Sequence, residues 1–202
     1  MVVAYSSVAQ LSFITLGIFS LRGTGIQGAI LQMVNHGLVT AALFFIVAAL
    51  AMRAGGSERI RDMGGVAFRA PVLASLFLIV SLATLAMPGS SNFIGEFMIL
   101  LGVFQSKLAI AVIAFAGVVG AGYYALRLFI GTMHNRVGPR VASHEIRLGD
   151  AAVLSPIVLA ILALAFFPQF GLSRSQRTVQ ATLGSSRALI AIVGPPRRVA
   201  AR

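Results

Sequence analysis

Cysteine is absent from this 202-residue chain, and acidic residues number only 5 against 16 Lys and Arg. Without thiols the chain cannot hold an iron–sulfur cluster or a zinc ion through sulfur, and it cannot close a disulfide within itself. Any redox chemistry has to happen elsewhere. Charged residues of both signs make up only 10% of the chain, while 58% is hydrophobic and the mean hydropathy is +0.94. Those values exclude a soluble domain built around one core, because the apolar runs are bilayer-length and recur. Soluble-enzyme signatures are missing as well: there is no phosphate-cradling glycine loop after a strand, no nucleophile triad and no metal-ligand spacing. The basic excess does not indicate nucleic acid, because the arginines sit between the apolar runs and in the tail, as topology charges do.

What is present reads as an all-α integral membrane protein. The apolar pattern predicts five spans, over about 2–21, 26–52, 71–104, 108–130 and 151–167, with a basic C-terminal tail over 172–202. The third run is too long for one straight span of roughly 20 residues. Within it, Pro88 and Gly89 stop a helix, and Ser90, Ser91 and Asn92 offer N-cap chemistry for a restart. A discontinuous helix is therefore expected there. The connection before this span carries Arg53, Arg59, Arg61 and Arg69, and the connection after the fourth carries Arg127, Arg136, Arg140 and Arg147. The alternate connections offer only Arg22 and Lys107, so the two arginine-rich loops are expected on the cytoplasmic side. The tail, with Arg174, Arg177, Arg187, Arg197, Arg198 and Arg202 and ending near Pro195-Pro196, then falls on the opposite side. It is expected to be a mobile or interfacial appendage without chemistry. Met1-Val2-Val3 enters the first span with no basic leader, which points to an upstream portion.

Four of the five acids, Glu58, Asp62, Glu145 and Asp150, lie in short polar connections. Glu96 alone lies within an apolar run, eight residues beyond Pro88. An ionisable group at membrane depth is costly, and by default it marks ion or proton handling. Near the start of a half-helix, the helix dipole favours the carboxylate whereas desolvation favours the neutral acid, so a moving charge nearby could tip the balance. The alternative is a protonated glutamate that only bonds across helices.

Polar residues inside the other spans are patterned. Gln32, His36 and Thr40 recur at i, i+4 and i+8 on the second helix with Asn35 beside them, and Ser6, Ser7 and Gln10 share a face of the first. Such stripes either bond neighbouring helices or line buried water. His36 is either a neutral imidazole tied to a backbone carbonyl or, with an intramembrane glutamate on the next helix, part of a proton relay. Lys107 lies about three turns beyond Glu96 on the same face, yet stands at a helix end where it can snorkel. His134 and the His144-Glu145 pair read as solvated loop residues, Tyr123 and Tyr124 as interface anchors, and Gly117, Gly120 and Gly122 as close-packing positions.

Four stretches carry a family resemblance. Ala4-Tyr5-Ser6-Ser7, the run Leu31-Gln32-Met33-Val34-Asn35-His36-Gly37-Leu38, the run Arg61-Asp62-Met63-Gly64-Gly65, and above all Met87 to Phe97 (MPGSSNFIGEF) resemble the antiporter-like membrane subunits of respiratory complex I. The resemblance runs from Ala4 to about Gly171. Related subunits usually carry lysine at the position of Glu96, and glutamate there points to the M subunit, chain 4 in mitochondria. The resemblance implies an inverted-repeat fold whose second repeat contains the broken helix, with Glu96 as the proton-carrying residue and His36 on a connecting polar axis. It implies a proton-translocating part of NADH:quinone oxidoreductase that contributes one half-channel in the inner (plasma) membrane, beside other complex I membrane subunits. NADH, FMN, iron–sulfur clusters and quinone are expected on partner subunits, with no cofactor in this chain. Gln10 and Ser91 depart from the histidine and glycine often found at those positions, and the family's first repeat, with its glutamate and lysine pair, has no counterpart here. Two other readings stay open: a subunit of a multi-subunit cation/proton antiporter or membrane-bound hydrogenase, and a truncated scaffold segment that conducts nothing.

Overall fold

The computed structural model describes residues 2–134, 141 and 144–193. Arg136, Arg140, Arg197, Arg198, Arg202 and Pro195-Pro196 lie outside these residues. The described chain is all helical: α1 (Val2–Phe19), α2 (Gly23–Arg53), α3 (Pro71–Thr84), α4 (Ser91–Ser106), α5 (Leu108–Met133), α6 (Leu148–Phe166) and α7 (Gln169–Val193), with short 3-10 turns at Ile60–Asp62 and Val66–Phe68. Helices α1, α2, α5 and α6 are each long and apolar enough to cross a bilayer. Helices α3 and α4 are shorter, with 14 and 16 residues, and together they take up the third apolar run.

The break between α3 and α4 has an identifiable cause. Ser90 donates its backbone N–H to the Met87 carbonyl at 2.8 Å, closing a turn with Pro88 and Gly89 at its centre. Proline presets one central position and Gly89, at φ 91°, takes the positive φ that the other requires. Ala86 is also left-handed, at φ 48°, so the chain leaves the helix before it reaches the proline. Ser90 then occupies the N-cap position of α4 with extended backbone, but its hydroxyl makes no capping bond. The restart therefore comes from backbone geometry, not from the serine cap that the sequence leads one to expect.

Two kinds of packing hold the bundle. On one side, α2 residues Val39, Ala42, Leu43, Ile46 and Leu50 meet α3, α5 and α6 through large apolar groups such as Phe77, Phe129 and Ile161. The Phe77 and Phe129 rings lie 5.4 Å apart and tilted, a favourable aromatic arrangement. On the other side, α2 and α4 approach through glycine. A Cβ on Gly28 would stand 2.6 Å from Met98 Cβ and 2.8 Å from the Gly95 carbonyl, and one on Gly102 would meet the Gly25 backbone at 2.5 Å. Gly17 of α1 closes the same seam against Ile99 and Gly25. Small residues at such crossings let membrane helices touch through their backbones. Gly117 and Gly120, expected to pack closely, have nothing within 4 Å among the described residues, and Gly122 makes only an ordinary contact with Leu85.

The two arginine-rich loops meet at one end of the bundle. Arg69 donates from Nη1 to the Val141 carbonyl at 3.0 Å. The Glu145 carboxylate accepts from the backbone N–H groups of Val72 (3.0 Å), Leu73 (3.3 Å) and Ile146 (2.8 Å), so a loop acid caps the first turn of α3. Burial pushes the Glu145 carboxyl up, but the three N–H bonds, aided by the Arg53 charge, outweigh it and hold the group below the usual carboxylate range. Glu145 is therefore a clamp and not a merely solvated residue. Two arginines assigned to these loops belong to helices: Arg127 lies within α5, and Arg53 is buried at the end of α2, where its Nη1 donates to the Ala49 carbonyl. At the opposite end, residues 172–193, expected as a tail, continue the helix α7. It lies against α2, with Val179 buried, Gly171 beside Leu31 and Leu183 beside Gly23.

Candidate functional site

Helix α4 carries Glu96 one and a half turns in from its start, on the face turned toward α2 and α1. Ser91, Asn92, Gly95, Glu96 and Ile99 are all buried there, a helical spacing that follows the glycine seam. The Glu96 side chain is 4% exposed and points into the bundle, away from the lipid-facing surface.

Two amides hold it. Gln10 of α1 donates from Nε2 to Glu96 Oε1 at 2.7 Å. Gln32 of α2 donates to Gln10 Oε1 at 3.0 Å and, at 3.4 Å, to Glu96 Oε1 as well. Each N–H thus points toward the carboxylate, so donation runs Gln32 to Gln10 to Glu96, and in a low dielectric such bonds reinforce one another. The Gln32 carbonyl oxygen lies against Gly95, where any side chain would displace it. The glycine seam and the amide pair are parts of one construction: the backbones approach closely, and that closeness brings Gln32 over the carboxylate.

The polar stripe on α2 divides between two neighbours. Gln32, fully buried, faces Glu96. His36, one turn on and half-buried, faces α1 instead: its Nε2 pairs with the Ser7 hydroxyl at 2.9 Å, and its Nδ1 pairs with the Thr40 hydroxyl at 3.2 Å. Ser7 and Gln10 stand one turn apart on α1, so the histidine group and the carboxylate group lie side by side between the same two helices. No direct hydrogen bond joins them among the described residues. Asn35 turns to α4, where its Nδ2 donates to the Ser91 carbonyl at 2.6 Å. Ser6 is buried and donates to the Val3 carbonyl at 2.7 Å. Lys107 stands exposed at the joint of α4 and α5, apart from these groups. Pro88 and Gly89 form the break itself.

Among the described residues, several buried oxygens on α2 and at the start of α4 have no hydrogen-bond partner: Gln32 Oε1, Asn35 Oδ1, Ser90 Oγ, Ser91 Oγ and Asn92 Oδ1. Buried acceptors of this kind are where ordered water binds in protein interiors. Tyr124 adds another polar group that the sequence reading missed. Its hydroxyl is buried beside Ser6 without a hydrogen bond of good geometry, and it lines a cavity of about 10 Å³ with Ser6, Ser81 and Thr84, room for about one water molecule. Tyr123 is exposed as expected of an interface anchor, but Tyr124 is not. The signal was available, since adjacent helical residues point about 100° apart and two neighbouring tyrosines cannot share one environment. Among the described residues no three His, Asp or Glu side chains converge as metal ligands.

This geometry can be set beside known proteins. The family described as NADH:quinone oxidoreductase/Mrp antiporter, TM, matches residues 1–122. Subunit M of NADH-quinone oxidoreductase from Rickettsia typhi is 39% identical over 168 residues, 82% of this chain and 34% of that protein. A chain of respiratory complex I from Thermus thermophilus superimposes with a TM-score of 0.80 at 32% identity, over 90% of this chain and 38% of that one. A chain of the Mrp complex from a Dietzia species superimposes with a TM-score of 0.82 at 19% identity, over 95% of this chain and 44% of that one, a likeness of fold. The chain thus spans about a third of the length of the curated relatives it matches. The chain is an all-helical, multi-pass membrane protein that belongs to the family of NADH:quinone oxidoreductase and Mrp antiporter membrane subunits.

Proposed function

We propose that this chain acts as the C-terminal part of a proton-translocating M-type subunit of NADH:quinone oxidoreductase, contributing one half-channel. The observation that carries this reading is a single carboxylate, 4% exposed, on the second half of a broken membrane helix and held by a glutamine 2.7 Å away. Glu96 takes up and releases the proton. Gln10 and Gln32 hold the carboxylate in place through either protonation state, because an amide N–H can donate to the oxygen of an acid or of its anion. His36, which can both accept and donate a proton, serves the relay with Ser7 and Thr40, and water carried by Asn35 and the α4 start joins the two groups.

The chain performs no redox step. Energy released by partner subunits, which hold NADH, FMN, iron–sulfur clusters and quinone, moves charge along the membrane arm of the complex and changes the proton affinity of Glu96. Moving one charge against the membrane potential takes about 2.3 kcal/mol per 100 mV. A change of one to two units in proton affinity, at about 1.4 kcal/mol each, is enough to drive it. Neighbouring antiporter-like subunits are the partners and the cell inner membrane is the location.

The test is Glu96→Gln in the complete subunit within the assembled complex. Assembly is expected to persist, with proton pumping lost; pumping at the normal rate would overturn the reading. The likeness to the Mrp complex favours a second reading, a subunit of a cation/proton antiporter. Neighbouring genes for quinone-site subunits or for antiporter subunits separate the two.

A further inference from the structure

Away from Glu96, an open groove of about 1860 Å³ lies between the first turn of α1, the second half of α2, the turn at 57–63 and the second half of α5. That is roughly twice the largest pockets that hold drug-sized molecules. Its walls are apolar, with Phe44, Val47, Leu126 and Ile130 among them. Its rim is basic: Arg59, Arg61 and Arg127 line it against the one acid Glu58.

Three observations indicate what fills it. First, the arginines are not neutralised within the described chain, where the one ion pair among them is Arg61 with Asp62, at 3.9 Å and well exposed. Second, Arg127 sits at the right depth. It lies six residues before the end of α5, a helix of 26 residues or about 39 Å, against a hydrocarbon core of about 30 Å. That places it just inside the boundary between acyl chains and headgroups. It reaches the Tyr123 hydroxyl at only 3.4 Å, a weak bond that leaves most of its guanidinium N–H groups for another acceptor. Third, the groove lies at the end of the bundle where both arginine-rich loops gather, the end their charge leads one to expect on the cytoplasmic side, and basic pockets between membrane helices on the cytoplasmic side bind anionic headgroups.

We propose that this groove holds a phospholipid with a net-negative headgroup, its phosphate among Arg59, Arg61 and Arg127 and its acyl chains along α2 and α5. Arginine suits the role because its planar fork of donors matches a phosphate. The proposal is independent of the proton-carrying role of Glu96.

The experiment places a photo-reactive phenylalanine analogue at Phe44, in the complete subunit within the assembled complex. The complex is reconstituted in bilayers of phosphatidylcholine and phosphatidylglycerol mixed four to one. After illumination, the peptide containing residue 44 is identified by mass. The expected result is a phosphatidylglycerol adduct, enriched several-fold over its share of the bilayer. In an Arg59→Gln, Arg61→Gln, Arg127→Gln variant the adduct falls back to the bulk proportion. An adduct in bulk proportion from the start, or one indifferent to the arginines, shows ordinary lipid contact and overturns the proposal. A peptide adduct shows that protein covers the groove and also overturns it, as does no adduct where the same probe at the exposed Ile113 of α5 captures lipid.

Discussion

Helix α2 is packed in two ways along its length. Its first half meets α4 through Gly25 and Gly28 and buries Gln32 and Asn35, while its second half meets α3, α5 and α6 through Val39, Ile46 and Leu50. Inside a bilayer, apolar contact between helices gains little over contact with lipid, so close fit and polar bonds have to hold them together. The apolar half therefore supplies shape, with Phe77 and Leu73 fully enclosed. The glycine half supplies closeness, and closeness is what allows two amides to reach one carboxylate. On the proposed function, stability rests on the apolar half and proton handling on the glycine half, and substitutions can test that division.

Phe77→Ala should give the largest loss of stability, about 4 kcal/mol, since it empties the centre of the apolar half. Unfolding of the reconstituted subunit measures it, and pumping per assembled complex should be unchanged. A pumping defect in the complexes that do assemble would show that the two halves are not separable. Next comes Gly28→Ala, at about 2 to 3 kcal/mol, because the new Cβ meets backbone and a Cβ on α4 rather than a movable side-chain end. Here pumping should fall together with stability, since separating α2 from α4 pulls Gln32 off Glu96. Gly117→Ala is the control: among the described residues nothing outside its own helix turn lies within 4 Å of where the new Cβ would stand, and the change should stay within about 0.5 kcal/mol.

Gln10→Leu sharpens the contrast from the other side. It removes the short bond to Glu96 and takes from Gln32 its better acceptor, costing about 2 kcal/mol for buried groups left underbonded. Pumping should drop by about tenfold, the effect of about 1.4 kcal/mol on a barrier. Gln10→His, which keeps a ring N–H near the carboxylate, should recover most of the rate. Equal defects in the two variants would show that the amide acts only as filler.

These substitutions also show which features could be read from the chain. The spans and the break were legible, because apolar run length and a Pro88-Gly89 step act locally. Glu96 was legible through scarcity: a lone acid in an apolar run needs a reason wherever it folds. The division of the stripe between Glu96 and Ser7 was not, because periodicity assigns Gln32 and His36 to a face of their own helix and says nothing of which neighbour each residue meets. The Gln10 to Glu96 bond joins residues 86 apart, and only the three-helix crossing brings them together. Glycine spacing misled in the same way, since Gly117 and Gly120 resemble Gly25 and Gly28 in sequence and differ only in what lies opposite. Helix α7 was hidden by its arginines, which resemble a tail until α2 supplies a surface for Val179 and Leu183.

The Gly117 control aside, the smallest expected effect concerns Glu145, which holds the apolar half together at the loop end. Its carboxylate gathers three backbone N–H groups, two of them orphan donors in the first turn of α3. Because the folded chain holds this carboxyl below the usual value near 4.5, the clamp contributes fully above that pH, where both folded and unfolded chains carry the charge. As pH falls below about 4.5 the unfolded chain takes up the proton first, and the contribution fades until the folded carboxyl is protonated too. Glu145→Gln keeps an acceptor oxygen but no charge, so it should cost about 1 kcal/mol at neutral pH and almost nothing well below pH 4.5. Unfolding of the two proteins across that range measures the gap, and amide exchange at Val72 and Leu73 locates it, since both N–H groups should exchange faster in the variant while those at Gly95 and Glu96 should not change. A gap that stays constant with pH would mean that Glu145 holds α3 by shape alone. Faster exchange at Glu96 would mean that the loop clamp reaches the glycine half through the broken helix, and the two halves would then form one cooperative unit.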